Sequence, residues 1–265
     1  MYRDLSARDI AEAQLLAARD TMRDQAICGH SLARDKTSHF KANHVSEAKP
    51  HPCQPNTRKD APPAAPQHTA GSAPFPAPQN ADETGSRALA RHAHEPTATP
   101  YFILETLFAK LDFDEGTHLL DVGCGAGRAL AYFAQAHFPG RATGIELDPQ
   151  LARFAATWTR DLPTVDVIEG SATAIPLDAY THFYLFNPFD SVVLVAFLDA
   201  IEAQVAHPIA LVHMSDNGEN YSYLGRAGWT LADQGEFQEH PGSDGAPFAL
   251  YAAPQHYSIW RYDPQ

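Results

Sequence analysis

The chain has 265 residues, 44% of them hydrophobic, and a formal net charge of −13 at pH 7. Residues 1–95 carry 12 basic and 11 acidic side chains, so residues 96–265 hold 7 and 21, a charge of −14. A negative field of that size repels phosphate backbones, so DNA and RNA are disfavoured as partners, although acidity also serves solubility alone. Three scattered cysteines, no apolar leader and no apolar run of 18 residues predict a soluble, cytoplasmic protein.

The N-terminal segment, residues 1–25, is predicted to form a short helix. Ser6 and Asp9 have the spacing of a capping box, and apolar residues from Ile10 onward recur near helical spacing. Its charged residues are mixed in sign. The helix is therefore interpreted either as a solvated element or as a short partner-binding or oligomerising element.

Residues 26–94 are predicted to be a disordered linker rich in Pro, Ala and His. Proline removes backbone donors, and the few apolar residues cannot offset the entropy lost on ordering. His92 and His94 are the one close histidine pair of this segment, and we expect no metal site in the chain.

Residues 95–265 are predicted to be one folded domain in which strands and helices alternate. Thr99 and Pro100 suit the cap and first turn of a helix that begins near Tyr101. Apolar runs predict strands at 118–122, 142–146, 165–168, 182–187, 209–214, 229–237, 248–252 and 256–262. Helical spacing predicts helices at 126–137, 149–160, 191–203 and 215–227. We expect an α/β fold with a mostly parallel seven-stranded sheet, an antiparallel C-terminal ribbon and helices on both faces.

A glycine-rich loop follows the first predicted strand. Asp121 ends that strand, and Gly123, Gly125 and Gly127 alternate with small residues before a helix. Glycines let the backbone turn sharply and approach a ligand, while the helix N-terminus offers free N–H groups. Glu146 ends the second strand 19 positions past Gly127, where such folds place an acid for ribose hydroxyls. These features indicate an adenosine-containing cofactor.

The spacing of the glycines selects among such cofactors. A dinucleotide loop reads G-x-G-x-x-G, whereas this loop reads G-x-G-x-G and carries Arg128 in place of the last glycine. Asp121 would repel a pyrophosphate but could receive an ammonium group. The loop resembles motif I of class I, Rossmann-like S-adenosylmethionine-dependent methyltransferases, which implies that cofactor and that fold.

The loop and the strand ends supply candidate cofactor-binding residues. Asp121 is assigned to the methionine amino group and Glu146 to the ribose, whereas Asp148 suits the cap of the next helix. Glu146, instead of Asp148, could serve as the cap of that helix. Ser171 stands where the resemblance places an Asp for the adenine amine, and the backbone of Ala172 could share that task. The remaining members of the set are Gly123, Cys124, Gly125, Gly127, Leu147, Asn187 and Tyr101.

The fourth strand ends in the run Asn187-Pro188-Phe189-Asp190. Asn187, Pro188 and Phe189 resemble the N-P-P-Y/F motif of amine-nitrogen methyltransferases, one proline short. The resemblance implies that amide and carbonyl oxygens accept hydrogens from a target nitrogen while the aromatic ring packs nearby. Asn187 could instead simply end the strand, and Asp190 could accept a proton or cap the following helix.

Residues 95–190 also resemble a group of bacterial class I methyltransferases with a D-V-G-C-G-x-G-R loop and an F-N-P-F strand end. The loop and the strand-end acid are also similar to those of non-SET histone-lysine methyltransferases. That likeness implies that Thr97 and Tyr101 cover the cofactor as a lid, although Tyr101 could equally pack at a helix start.

The sequence therefore predicts an enzyme, a methyltransferase that methylates nitrogen on a protein or small-molecule acceptor. The alternatives are an adenine-N6-type nucleic-acid methyltransferase and a non-catalytic, cofactor-binding interaction module with a partner bound through residues 1–25. Membrane association is not expected. Removal of residues 1–90 is expected to leave folding and cofactor affinity nearly intact.

Overall fold

The computed structural model describes residues 4–35, 93 and 98–265. The predicted linker therefore lies almost wholly outside the described residues, as does Thr97, and the division into helix, linker and domain stays a prediction. The first helix, α1, spans Ala7–Asp35 and so runs ten residues past the expected end at residue 25. Its extension is physically reasonable, because the first proline of the chain is Pro50.

A seven-stranded sheet forms the centre of the molecule, in the order β3-β2-β1-β4-β5-β9-β6. Five strands are parallel, whereas β9 is antiparallel to both β5 and β6. A separate two-stranded ribbon joins β7 to β8. The strands are β1 His118–Val122, β2 Arg141–Glu146, β3 Val165–Glu169, β4 His182–Phe186, β5 Ile209–Met214, β6 Trp229–Phe237, β7 Glu239–Pro241, β8 Pro247–Ala249 and β9 Gln255–Tyr262. The expected class I fold is confirmed.

In the described part of the chain, four further α-helices connect and cover the strands, and a capping side chain marks the start of two of them. They are α2 Tyr101–Phe108, α3 Arg128–Gln135, α4 Pro149–Thr159 and α5 Ser191–Gln204. Asp148 caps α4 by accepting from the backbone N–H groups of Gln150 and Leu151, and Asp190 caps α5 in the same way. Both predicted caps are confirmed. Thr99 does not cap α2, because its hydroxyl is hydrogen-bonded to the Tyr184 hydroxyl at 2.7 Å.

The core lies on both faces of the sheet. One face packs against α2, α3 and Trp158 of α4, and the other packs against α5 together with Tyr223, Trp229 and Trp260. Tyr223 and Trp260 stack with their ring centroids 4.6 Å apart. Packing on both faces holds the sheet in place, and with it the strand ends at which the candidate site lies.

The helix expected at 215–227 is wrong. A short 3-10 helix spans only Glu219–Tyr223, and Ser215, Asn217 and Gly218 have left-handed backbone conformations. The buried carboxylate of Asp216 accepts hydrogen bonds from side chains of β9, which holds the segment against the sheet. Asn and Gly tolerate left-handed dihedrals, which an α-helix cannot accommodate.

Helix α1 lies against the rest of the described chain through polar contacts along its length. The predicted capping box is confirmed, since the Ser6 hydroxyl and Asp9 carboxylate each accept from the other's backbone N–H. Arg8 pairs with Asp244 at 2.8 Å, and Glu12 accepts from the backbone and hydroxyl of Ser243 in the β7–β8 ribbon. The interpretation of α1 as a merely solvated helix is therefore wrong, because its polar side chains find partners far along the chain.

Among the described residues, no helix combines the length and apolar character needed to cross a lipid bilayer.

Candidate cofactor site at the carboxyl end of the sheet

A cavity of about 410 Å³ lies where β1 and β4 end, at the carboxyl edge of the parallel strands. Open α/β sheets bind ligands in this position, and the volume falls in the usual range for small-molecule sites. Its walls come from the glycine loop, the first turn of α3, part of α4, the end of β4 and α1. The lining residues are Asp24, Gln25, Ala98, Thr99, Asp121, Gly123, Cys124, Gly125, Ala126, Gly127, Arg128, Ala129, Ala131, Leu151, Phe154, Trp158, Tyr184 and Phe186.

The three loop glycines all have positive φ angles but serve different purposes. A Cβ on Gly123 would come within 2.7 Å of Pro188, and a Cβ on Gly127 within 2.7 Å of the Trp158 ring. A Cβ on Gly125, by contrast, would meet nothing within 4 Å. Gly123 and Gly127 therefore serve packing, whereas Gly125 leaves space that a ligand can occupy.

Asp121 lines the cavity and is 3% exposed. Burial, reinforced by the nearby negative charge of Glu146, raises the pKa of Asp121 to about 8. An uncompensated carboxylate in this position is unfavourable, so the acid is largely protonated at neutral pH. A cation brought beside Asp121 would favour its ionised form, which suits the predicted ammonium contact.

Glu146 holds the glycine loop in place. Its Oε2 accepts from the backbone N–H of Gly125 at 2.8 Å, and its Oε1 accepts from that of Asp148 at 2.8 Å. Glu146 is not among the residues that line the cavity. Each carboxylate oxygen retains a further lone pair, so the ribose assignment of Glu146 stays a prediction.

Cys124 is a cavity wall rather than a nucleophile. Its side chain is 8% exposed, and burial together with the charges of Asp121 and Glu146 raises the pKa of its thiol. A raised thiol pKa removes the thiolate that nucleophilic action requires. Gly144 makes room for it, since a Cβ on Gly144 would come within 2.7 Å of the Cys124 sulfur.

Helix α4 supplies the apolar wall. Phe154 and Trp158 face the cavity, and the Trp158 indole N–H donates to the carbonyl oxygen of Ala126 at 3.0 Å. That hydrogen bond ties α4 to the glycine loop. The ring faces suit an adenine ring or a sulfonium group, which aromatic groups attract.

Helix α1 supplies a wall that the sequence analysis did not anticipate. Asp24 and Gln25 line the cavity, although they lie almost 100 residues before the glycine loop. Asp24 pairs with Arg128 at 2.6 Å, and Asp20, 6% exposed, lies 3.6 Å from the same guanidinium. The i, i+4 spacing of Asp20 and Asp24 could have indicated a helix face that meets a cation, but no local signal identified Arg128 as its partner.

Tyr101 is held between α1 and the core. Its hydroxyl donates to Asp24 at 2.9 Å, and the guanidinium of Arg23 lies 4.0 Å above its ring centroid. Its side chain is buried but is not among the cavity-lining residues. The lid assignment of Tyr101 stays a prediction, whereas Thr99 and Tyr184 do face the cavity.

The candidates for adenine recognition lie outside the set of lining residues. The Ser171 hydroxyl accepts from the backbone N–H of Thr173 and so caps a 3-10 helix at Ala172–Ala174. Ala172 is buried in the core, and Leu147 is half-buried beside Glu146. Their cofactor assignments stay predictions.

The strand end that resembles an amine-methyltransferase motif borders the cavity. Asn187 directly follows Phe186, a lining residue, and has a left-handed φ of 40°. Pro188 packs against Gly123, so this strand end touches the glycine loop. Phe189 instead directs its ring toward Phe197, with centroids 6.0 Å apart, and pairs with Ala93 in an isolated bridge. The catalytic assignments of Asn187, Pro188 and Phe189 stay predictions.

The chemistry of the cavity fits S-adenosylmethionine. Asp121 offers an acid that a positive charge would ionise, Gly125 leaves space beside the loop backbone, and Phe154 and Trp158 offer aromatic side chains. S-adenosylmethionine carries an ammonium, a sulfonium and an adenine ring, and it has no phosphate that Asp121 would repel.

Comparisons with known proteins place the glycine loop in a family. Residues 119–208 match a family model described as a methyltransferase domain. The matched residues include the glycine loop and the strand end at Asn187, in agreement with the methyltransferase resemblance of these motifs. An uncharacterized 37.1 kDa protein in transposon TN4556 of Streptomyces fradiae is 38% identical over 69 residues, which are 26% of this chain and 20% of that protein. The chain thus spans about a fifth of the length of that relative.

Two solved structures are similar to this chain in fold. An RNA methyltransferase from Salinibacter ruber in complex with S-adenosyl-L-homocysteine is 18% identical, with 64% of this chain and 95% of that chain covered and a TM-score of 0.48. The putative methyltransferase yhhF from Escherichia coli is 20% identical, with 65% and 92% covered and a TM-score of 0.48.

Proposed function

We propose that residues 95–265 form a class I S-adenosylmethionine-dependent methyltransferase domain that methylates a nitrogen atom of a protein or small-molecule acceptor. The observation that carries this proposal is the cavity in which Asp121 and the open side of Gly125 lie beside the strand end at Asn187. The bound cofactor supplies an electrophilic methyl group. The chain's own residues position it and the acceptor.

The residues divide into a donor side and an acceptor side. On the donor side, we assign Asp121 to the ammonium group of the methionine, the Gly125 backbone to close approach, and Phe154 and Trp158 to the aromatic and sulfonium portions. Asp24 and Gln25 complete the wall opposite the loop. On the acceptor side, the Asn187 amide oxygen and nearby carbonyls accept hydrogens from the target nitrogen. Holding the reacting atoms in line supplies much of the rate enhancement.

Charge supports a protein or small-molecule acceptor. Residues 96–265 carry a charge of −14, which opposes the approach of a phosphate backbone and favours a cationic amine. The alternative, an adenine-N6-type methyltransferase, is favoured by the pair Asn187-Pro188 alone. We also propose that the protein is cytoplasmic.

The N-terminal helix over residues 1–25 is the candidate element for binding a partner protein. Within the described chain α1 already makes contacts with the β7–β8 ribbon, α3 and α4. We propose that its chief role is to complete the cofactor site, and that a separate partner would bind its outward face, where Leu15 and Met22 are exposed.

The test is methyl transfer from radiolabelled S-adenosylmethionine into a cell lysate, which is then separated into protein, nucleic acid and small molecules. We expect label in the protein or small-molecule fraction, on nitrogen. Label confined to nucleic acid would support the adenine-N6 alternative. Measurable binding of S-adenosylhomocysteine without transfer to any fraction would favour a non-catalytic binding module.

A further inference from the structure

A second group of ionisable side chains lies at the carboxyl edge of the sheet, outside the cofactor cavity. Asp216, which follows β5, is 0% exposed. Its Oδ1 accepts from His256 Nδ1 at 2.8 Å, and its Oδ2 accepts from the Ser258 hydroxyl at 2.7 Å. Ser258 in turn accepts from the Trp260 indole N–H at 2.9 Å. Both oxygens of a fully buried carboxylate are thereby satisfied, and one of them fixes a histidine.

The orientation of His256 follows from this hydrogen bond. A carboxylate only accepts, so Nδ1 carries the proton, and in the neutral ring the lone pair is on Nε2. The His256 side chain is 32% exposed, so it borders solvent as well as Asp216. A buried Asp behind a histidine fixes its tautomer and stabilises the imidazolium that forms when Nε2 takes a proton.

The neighbouring histidine cannot play this part. His213 is 1% exposed, its Nδ1 is hydrogen-bonded to the Tyr223 hydroxyl at 3.1 Å, and burial lowers its pKa to about 4. It is therefore neutral, inaccessible and a poor base at neutral pH. Of the two imidazoles beside Asp216, His256 is the one able to exchange a proton with a bound molecule.

Strand register places His256 at the carboxyl edge of the parallel strands. Phe186, which lines the cavity, is opposite Met214 in β5, and Met214 is opposite Tyr257 in β9. His256 thus lies at the same edge as Asn187, two strands away, or about 10 Å at the usual strand spacing. Ser215, directly before Asp216, has a left-handed φ angle of 57°, and such backbone strain clusters at functional sites.

We propose that His256 is the proton acceptor for the target nitrogen and that Asp216 is its positioning residue, an inference that rests on the proposed nitrogen methylation. An amine acceptor is mostly protonated at neutral pH. One N–H bond of its ammonium breaks, and the proton moves to His256 Nε2. The freed lone pair then forms the bond to the methyl carbon as the carbon–sulfur bond breaks and its electrons return to sulfur. The imidazolium releases its proton to water.

The charged groups around His256 favour this role. Asp216 faces it from the loop after β5, and Glu236 is its cross-strand partner on β6. His213, whose pKa burial lowers to about 4, is neutral and adds no positive charge beside them. The exposed carboxylate of Glu236 also attracts a cationic amine to this edge.

The test compares His256→Gln with His207→Gln in the full chain. His207 is partly exposed, as His256 is, and precedes β5 at the opposite edge of the sheet, so it is a matched control. We measure S-adenosylhomocysteine affinity by calorimetry, and the pH profile of methyl transfer from labelled S-adenosylmethionine into the fraction that the wild-type protein labels. General-base catalysis contributes about 10²–10⁴-fold.

For His256→Gln we expect affinity within about twofold of wild type and transfer at pH 7 reduced at least about 100-fold. The deficit should shrink as rising pH deprotonates the acceptor. Asp216→Asn should show a smaller loss with the same trend, and His207→Gln none. Equal rates and superimposable pH profiles for His256→Gln and wild type would overturn the assignment. No transfer by the wild-type protein despite cofactor binding would overturn the proposed function, and this inference with it.

Discussion

At the scale of single residues, the ionisation of Asp121 makes ligand binding in the cavity depend on pH. Burial and the charge of Glu146 raise its pKa to about 8, so below that value the acid must lose a proton before it can bind an ammonium as a carboxylate. We therefore expect S-adenosylhomocysteine affinity to rise with pH between about 5.5 and 7, by up to about tenfold per unit. Calorimetric titration across that range measures this, and buffers of different ionisation enthalpy report the released proton.

Asp121→Asn is the control for that pH dependence, because the amide mimics the protonated acid. Its affinity should be flat between pH 5.5 and 7. An equally steep dependence in Asp121→Asn would show that another group controls binding.

Substitution of Gly125 by alanine tests whether the ligand occupies the open side of the glycine loop. Gly125 and Gly225 both have left-handed φ angles, of 55° and 78°, and a Cβ on either meets nothing within 4 Å. Alanine at either position should lower the free energy of unfolding by about 1–2 kcal/mol through backbone strain alone. Only Gly125→Ala should also weaken S-adenosylhomocysteine binding, by at least about tenfold, in calorimetry. Equal affinities for the two variants would remove the loop from the site.

At the scale of elements, α1 changes what the N-terminal region is expected to do. The sequence predicted that removal of residues 1–90 leaves cofactor affinity nearly intact, but Asp24 and Gln25 line the cavity and Asp24 pairs with Arg128. We now expect Asp24→Ala to weaken S-adenosylhomocysteine binding about tenfold, or about 1.4 kcal/mol. Partial exposure of Asp24 limits the effect.

Glu12→Ala is the matched control for Asp24→Ala. It removes another α1 carboxylate with a docking contact, at Ser243 of the β7–β8 ribbon. Its affinity should stay within about twofold of wild type. If both variants weaken binding equally, α1 acts through its overall docking rather than through Asp24.

The secondary-structure elements also show which structural features are encoded by neighbouring residues in the sequence. The strands of the parallel sheet were predictable because buried parallel strands are short apolar runs, and the caps at Asp148 and Asp190 were predictable because they act over two or three residues. The helix expected at 215–227 failed because Asp216 is held by β9, about 40 residues later. The docking of α1 depends on pairs such as Arg8–Asp244, separated by 236 residues, and no local pattern encodes these.

At the scale of the whole molecule, one donor cavity and a strongly acidic domain constrain the function together. The glycine loop, α4 and α1 enclose a site whose glycine spacing disfavours a dinucleotide, and the charge of −14 over residues 96–265 disfavours nucleic acid. Both features are consistent with transfer of a methyl group to an amine. The sequence identified the cofactor because the loop is contiguous, whereas the acceptor edge is assembled from β4, β5 and β9 and had to be seen folded.

The most direct measurement is a calorimetric titration of the full chain with S-adenosylhomocysteine, in parallel with a nicotinamide dinucleotide. We expect one S-adenosylhomocysteine molecule to bind per chain. The dinucleotide should give no measurable binding, because the loop carries Arg128 where a dinucleotide loop has its third glycine. Absence of S-adenosylhomocysteine binding, or equal affinity for the dinucleotide, would contradict the assignment of this cavity.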